Sequence, residues 1–245
     1  MKAMIFAAGL GTRLKPLTNS KPKALVEING IPLLQIVISN LKKHGFNDII
    51  INVHHFAGQI KEFLRENKNF NVNINISDES EKLLNTGGGL KKARHFFDDK
   101  PFLVHNVDII SDLNLKDLYN YHLSKNAIAT LAVRNRKTSR YFLFDKNMAL
   151  CGWKNFKTNE TKLTKTPASK LYSLAFSGIQ VINPEIFSLI QQEGAFSITD
   201  VYINLANSHY IAAYIHDDTL WMDMGKPENI AEAEKIFNKI YTNDS

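Results

Sequence analysis

The residues best suited to chemistry lie near the amino terminus of this chain. Residues 1–8 form a nearly unbroken apolar run with a single lysine, a pattern that predicts a buried strand. The run leads straight into Gly9, Leu10, Gly11, Thr12 and Arg13, with Lys15, Lys21 and Lys23 close behind. A strand that ends in glycines offers bare backbone N–H groups, and the cations that follow add positive charge at the same sheet edge. Polyphosphate is the ligand that answers both. A second chemical group, Asp108, follows a predicted buried strand at 101–105, where a carboxylate is well placed to hold a hard divalent metal. A third, Gly87, Gly88 and Gly89, precedes a predicted helix at 90–97 and leaves room for close approach by something planar or phosphorylated. Two other glycine motifs are excluded. The dinucleotide fingerprint requires a third glycine where Leu14 stands, and neither Gly9 nor Gly89 is followed by the Gly-Lys-Ser/Thr of a P-loop.

The elements that must position these groups follow from apolar periodicity. Residues 32–45 predict a helix that is apolar on most faces, opened by Pro32 and stopped by Gly45, and 48–53 a second buried strand. Strand, helix and strand make a parallel crossover that places its functional loops at the carboxyl ends of the strands. His54 and His55 sit at such an end. Adjacent histidines at a helix start do not converge on one metal, and a ring beside a nucleotide is the better use for them. Further on, the pattern predicts a half-exposed strand at 71–77, a helix at 114–124 and a strand at 127–133. A hairpin of 141–145 and 149–153 turns at Lys146-Asn147. A lysine-rich polar loop covers 154–170, and a strand covers 171–182. Helices at 184–192 and 198–206, the second capped by Ser197, precede a strand at 211–215 and a helix from Pro227 to about residue 241. Asp223 lies just before that last helix, either as its cap or as a second carboxylate for the metal.

At 245 residues the chain can bury a substantial core, and 44% hydrophobic with 22% charged residues is ordinary for a globular protein. The apolar start is short and broken by Gly9 and Arg13, unlike a secretory signal or a membrane span. One cysteine, Cys151, excludes an intramolecular disulfide and fits a cytoplasmic protein. The net charge of +6 is spread along the chain. Its densest cluster, Arg134, Arg136, Lys137 and Arg140, lacks the interleaved aromatics of a single-strand binding platform, so no nucleic-acid partner is expected.

The longer pattern Ala7-Ala8-Gly9-x-Gly11-Thr12-Arg13-Leu14-x-Pro16-Leu17-Thr18, then Pro22-Lys23-x-Leu25-Val26 and Gly30-x-Pro32-Leu33, resembles the sugar-1-phosphate nucleotidyltransferases. Thr86-Gly87-Gly88, Asn106-Val107-Asp108, Phe176-Ser177-Gly178-Ile179 and Trp221-x-Asp223-x-Gly225-x-Pro227 extend the likeness over most of the chain. The resemblance implies a three-layer α/β/α Rossmann-like nucleotidyltransferase fold with a mixed, mostly parallel central sheet. It also implies a single catalytic domain over 1–245, without the carboxy-terminal β-helix of longer members. The implied reaction joins a nucleoside triphosphate to a sugar 1-phosphate and releases pyrophosphate. In that scheme Arg13 and Lys23 are catalytic. Ala7, Ala8, Gly9, Gly11, Thr12, Thr86, Gly87, Gly88 and Asn106 line the nucleotide, and Glu79 is an acceptor for the base edge. Ser177 and Gly178 line the sugar, and Lys165 or Lys170 meets its phosphate. Asp108 and Asp223 hold Mg2+, with no membrane partner and a monomer or homodimer expected. Val107 replaces the glycine usual before the metal aspartate and is expected to narrow the space beside the nucleotide. Within the family the pattern is most similar to N-acetylmuramate-1-phosphate uridylyltransferases and to mannose- or heptose-1-phosphate guanylyltransferases. The alternatives are a phosphocholine cytidylyltransferase, with a cage drawn from Trp153, Tyr172 and Trp221, and a non-catalytic nucleotide-sugar sensor.

Overall fold

The computed structural model describes residues 1–164 and 170–241. The first strand, β1 (Lys2–Phe6), is followed by 3-10 turns at Thr12–Leu14 and Lys23–Leu25 and by a small ribbon of β2 (Glu27–Ile28) and β3 (Ile31–Pro32). Helix α1 (Leu33–Lys43) leads to β4 (Asp48–Val53), and α2 (Ala57–Glu66) to β5 (Asn73–Asp78). Then come α3 (Asn85–Lys92), β6 (Phe102–Asn106), β7 (Ile109–Ser111), α4 (Leu115–Lys125) and β8 (Ala129–Arg134). β9 (Arg140–Phe144), β10 (Leu150–Asn155), β11 (Glu160–Leu163) and β12 (Tyr172–Ile182) follow. The chain ends with α5 (Ile186–Leu189), α6 (Ile198–Leu205), β13 (Ile211–Ile215), β14 (Trp221–Asp223) and α7 (Ile230–Tyr241).

These elements fall into two units. The first comprises Met1–Asn85, Val104–Leu115 and Thr219–Ser245. Its strands run in the order β6-β1-β4-β5, with β1, β4 and β5 parallel and paired in register from Lys2↔Asp48 and Asp48↔Asn73. The expected crossover is therefore present. Its helix α1 buries Leu33, Leu34, Ile36, Val37, Ile38 and Leu41, as an all-round apolar sequence requires. Pro32 stands at its N-cap, and beyond its end Gly45 takes φ +83°, so that Phe46 N–H reaches the Leu41 carbonyl at 2.9 Å. Parallel strands covered in this way read as continuous apolar runs, and Ile49, Ile50 and Ile51 are fully buried.

The second unit comprises Thr86–Leu103 and Lys116–Asp218. Here β11-β10-β9-β12 are neighbours, β8 lies antiparallel beside β12, and β13 runs parallel to β8. The hairpin at Lys146-Asn147 is formed by β9 and β10 as expected. The polar stretch after it is not all loop. β11 pairs with β10 from Gly152↔Leu163 to Asn155↔Glu160, although all four of its residues are exposed and so carry no burial pattern for a sequence reader to detect. The α6 cap is as expected: Ser197 Oγ accepts from Thr199 N–H at 3.2 Å.

Candidate active site

In the first unit, β1 ends at Phe6 and the chain turns through exposed Gly9 and Leu10 to Gly11, which takes φ +63°. A side chain at Gly11 would be strained by that backbone, and its Cβ would lie 2.9 Å from Thr18 Cγ2 and 3.2 Å from Lys23 Cβ. Thr18 fixes the turn by donating its hydroxyl to the Gly11 carbonyl at 2.8 Å. This close packing carries the glycine loop back onto the segment that bears Lys23.

The two aspartates, far apart in sequence, are brought together by a short antiparallel ribbon. β14 pairs with β7 at Trp221↔Ser111, Met222↔Ile110 and Asp223↔Ile109, and Met224 N–H donates to the Asp108 carbonyl at 2.8 Å. Ser111 adds a hydroxyl bond to the Leu220 carbonyl at 2.7 Å. Lys23 reaches into the same place and makes an ion pair with Asp108, both side chains being mostly buried. Arg13 completes the group. A Cβ built on Gly225 would lie 2.7 Å from Arg13 Nη2 and 2.7 Å from Asp223 Oδ1, so guanidinium and carboxylate both rest against a glycine that has room for them.

The electrostatics follow from this crowding. Burial raises the Asp223 carboxyl above the ordinary carboxylate range, and the negative charge of Asp108 raises it further. The Gly225 N–H, bonded to Asp223 Oδ1 at 2.7 Å, opposes that rise, as do Lys23 and Arg13. Two carboxylates that repel each other thus stand beside two cations. Asp223 does not cap the helical segment that follows, whose N-cap is Lys226. Among the described residues no group of three or more His, Cys, Asp or Glu side chains is placed to hold a metal ion.

The other expected residues are placed as follows. Ala7 and Ala8 are buried, and the Ala7 N–H is already bonded to Asn52 Oδ1 at 2.8 Å, while Thr12 is exposed. Asn106 ends β6, half-buried. Val107 is 3% exposed and its N–H bonds the Phe6 carbonyl at 3.1 Å, so its side chain is packed inside. Glu79 departs from its expected role at a base edge. It is 1% exposed, and both carboxylate oxygens are taken, Oε1 by Asn52 Nδ2 at 2.7 Å and Oε2 by Leu84 N–H at 3.0 Å. The His54 ring is likewise engaged, its Nδ1 on the Glu79 carbonyl at 2.7 Å.

In the second unit, the three glycines lie inside α3 and not in a loop before it. A Cβ at Gly87 would stand 2.4 Å from Phe196 Cδ2, and Gly87 N–H donates to the Phe196 carbonyl at 2.9 Å, with Gly88 N–H at 3.4 Å. Thr86 Oγ1 accepts from Ile198 N–H at 3.0 Å. Thr86, Gly87 and Gly88 thus hold the start of α6. Ser177 is fully buried and bonds His216 Nε2 at 2.6 Å, which removes its hydroxyl from the expected contact with sugar. Gly178 takes φ +78° where the β12–β8 register shifts. Lys170 is exposed, and Lys165 lies outside the described residues. Sequence reasoning missed Asn52 altogether. Its signal was one polar residue in an otherwise apolar strand core, Ile49-Ile50-Ile51-Asn52-Val53.

Solved structures share this architecture. The UDP-glucose pyrophosphorylase from Acinetobacter baumanii superposes with a TM-score of 0.79 at 19% identity, covering 98% of this chain and 94% of that one. The inositol-1-phosphate CTP transferase from T. maritima gives 0.78 at 15%, covering 98% and 95%. The fold is thus the Rossmann-like one of nucleotidyltransferases, a mixed sheet whose central strands are mostly parallel, as the motifs implied. The sequence profile described as Nucleotidyl transferase matches residues 2–239, and the chain belongs to that family. An N-acetylmuramate alpha-1-phosphate uridylyltransferase of Caulobacter vibrioides is 31% identical over 238 residues, 95% of each chain. A UTP--glucose-1-phosphate uridylyltransferase of Synechocystis sp. is 31% identical over 92% of this chain, and mannose-1-phosphate guanyltransferase 2 of Candida glabrata 31% over 97%. This chain spans 60% of the former relative's length and 64% of the latter's.

Proposed function

We propose that the protein transfers a nucleotidyl group from a nucleoside triphosphate to a sugar 1-phosphate. The observation that carries this reading is the gathering of Arg13, Lys23, Asp108 and Asp223 in the first unit: Arg13 and Asp223 meet at Gly225, Lys23 pairs with Asp108, and Asp223 feels the charge of all three. In this reaction an oxygen of the sugar phosphate bonds to the α-phosphorus while the bond from that phosphorus to the pyrophosphate oxygen breaks. The attacking oxygen is already anionic at neutral pH, so no side chain has to remove a proton. The task is to hold two polyanions in line and to offset the charge that grows on the departing group. Arg13, forked and permanently charged, is assigned to the triphosphate tail and the leaving pyrophosphate. Lys23 is assigned to the α-phosphate and the incoming sugar phosphate, and it leaves Asp108 to do so. Asp108 and Asp223 would hold Mg2+, a hard ion that binds through one or two carboxylates together with substrate phosphates. When bound it would supply positive charge to the phosphate oxygens.

The names of the relatives favour UTP with N-acetylmuramate or glucose 1-phosphate, or GTP with mannose 1-phosphate, as the substrate pairs for this chain, and the motif pattern adds heptose 1-phosphate to the guanylyl acceptors. Among the described residues no helix is long and apolar enough to cross a membrane. With soluble substrates and a lone buried thiol at Cys151, the cytoplasm is the proposed site of action. The test is pyrophosphate release with Mg2+ across UTP, GTP, CTP and dTTP against muramate, mannose, glucose and heptose 1-phosphates and phosphocholine. Release with a sugar 1-phosphate is expected. Release with phosphocholine alone, or nucleotide binding without release for any acceptor, would overturn the reading.

A further inference from the structure

The ends of three parallel strands in the first unit are tied together by one buried polar chain. Ala7, just past β1, donates its N–H to Asn52 Oδ1 at 2.8 Å. Asn52, in β4, donates Nδ2 to Glu79 Oε1 at 2.7 Å, and Glu79, just past β5, accepts the Leu84 N–H on Oε2 at 3.0 Å. His54 donates from Nδ1 to the Glu79 carbonyl at 2.7 Å, and Glu79 N–H reaches the Val53 carbonyl at 2.7 Å. Asn52 is 3% exposed and Glu79 1%, and the bonds from Ala7 to Asn52 and from Asn52 to Glu79 are buried.

The direction of every bond in this chain is forced. A backbone N–H only donates, so Ala7 fixes Asn52 with its oxygen toward β1 and its amide nitrogen toward Glu79. Glu79 then faces a donor on each side, Asn52 Nδ2 and Leu84 N–H, and needs two acceptors. A carboxylate has two. A glutamine has one, and either orientation of its amide would set a donor against a donor in a buried place.

We propose that Asn52 and Glu79 are paired positioning residues that fix the distance between the phosphate loop at 7–13 and the loop at 79–84. The side-chain hydrogen bonds of the pair go to Ala7, to Leu84 and to each other, and not to Arg13, Lys23, Asp108 or Asp223. The pair acts through Ala7, whose backbone leads directly into Gly9 and Arg13, and the inference rests on the nucleotidyl transfer proposed above. The same logic yields a reciprocal exchange, Asn52→Asp together with Glu79→Gln, that restores every bond. In that double variant the carboxylate brought to β4 accepts from the Ala7 N–H and from the side-chain amide brought to the end of β5. The oxygen of that amide in turn accepts from the Leu84 N–H.

The experiment compares Glu79→Gln, Asn52→Asp and the double variant by steady-state kinetics on the best substrate pair and by amide hydrogen exchange at Ala7 and Leu84. Each single variant should raise KM for the triphosphate about tenfold, in line with one buried polar group left unpaired, with a smaller change in kcat. Exchange at both amides should quicken. The double variant should recover KM to within about threefold and restore amide protection, because the coupling and not either residue alone is what counts. Should the singles fail to fold while the double folds, the coupling is upheld. Singles that match the wild type, or a double variant as impaired as the singles or unable to fold, would overturn it. Wild-type protein inactive on every substrate pair would sink the functional reading, while the exchange measurements would still decide for or against the pair.

Discussion

At the scale of single residues, charge and spacing made the candidate groups legible. Arg13, Lys23, Asp108 and Asp223 were all found from residue type and motif, and the fold brings them close enough to act on one another's charge. Replacing Arg13 or Lys23 with alanine is expected to lower kcat by about 10²-fold or more, the usual cost of losing one preorganised charge donor. Undiminished turnover in either variant would remove that residue from the mechanism. Gly225 was visible only as part of a motif, because what matters there is a missing side chain, which leaves space for Arg13 Nη2 and Asp223 Oδ1. Gly225→Ala should therefore cut kcat/KM by about 10- to 100-fold by displacing both the guanidinium and the Asp223 carboxylate. Wild-type kinetics in that variant would mean that Arg13 does not work from this position. Glu79 shows the opposite limit. A sequence places a carboxylate near a loop but does not reveal that Asn52 and Leu84 have taken both its oxygens.

At the scale of elements, apolar continuity carried the reading. The β1-α1-β4 crossover was legible because buried parallel strands and an all-round apolar helix leave unbroken hydrophobic runs. The elements that escaped lack that mark. β11 is exposed throughout, and β7 and β14 are three residues each, set only by each other across a long stretch of chain. The glycine run misled for a different reason. Glycine disfavours helix, yet Gly87, Gly88 and Gly89 lie in α3, because the packing of Phe196 against Gly87 outweighs local propensity. That packing predicts the cost of filling the space. Gly87→Ala would drive a methyl group into the Phe196 ring and its carbonyl, and should destabilise the fold by about 1–3 kcal/mol in spite of alanine's better helix propensity. Urea unfolding of Gly87→Ala, Phe196→Ala and the double variant checks this. The double should be more stable than the sum of the two single losses, and a purely additive result would rule out the contact as the cause.

At the scale of the whole chain, the positive charge noted in the sequence sets a background against which protonation matters. His122 and His216 are nearly inaccessible, at 2% and 1% exposed, and neither belongs to the candidate site. Burial lowers the His122 imidazole to about 4, and its ring is held by Thr130 Oγ1 at 2.9 Å. Burial, helped by the positive charge of Arg134, lowers His216 to about 4 as well. An unfolded histidine titrates near 6.5. Between about 4 and 6.5 the unfolded chain therefore binds more protons than the folded one, so stability rises with pH across that window. The contribution of these neutral rings is fully present above about 6.5 and is lost as pH falls toward 4, while the chain's net charge climbs above +6 and adds self-repulsion. Urea midpoints measured from pH 7 to pH 4.5 should fall steadily. Carboxylates titrate near the lower end of the same range, so the decisive comparison is with His122→Gln and His216→Gln, which keep a polar partner for Thr130 and Ser177 but cannot be protonated. Each variant should flatten the slope of stability against pH between 6.5 and 4.5, and the double variant more than either. A slope equal to that of the wild type in the double variant would mean that these histidines accept their protons without unfolding, and that the acid sensitivity of the fold arises elsewhere.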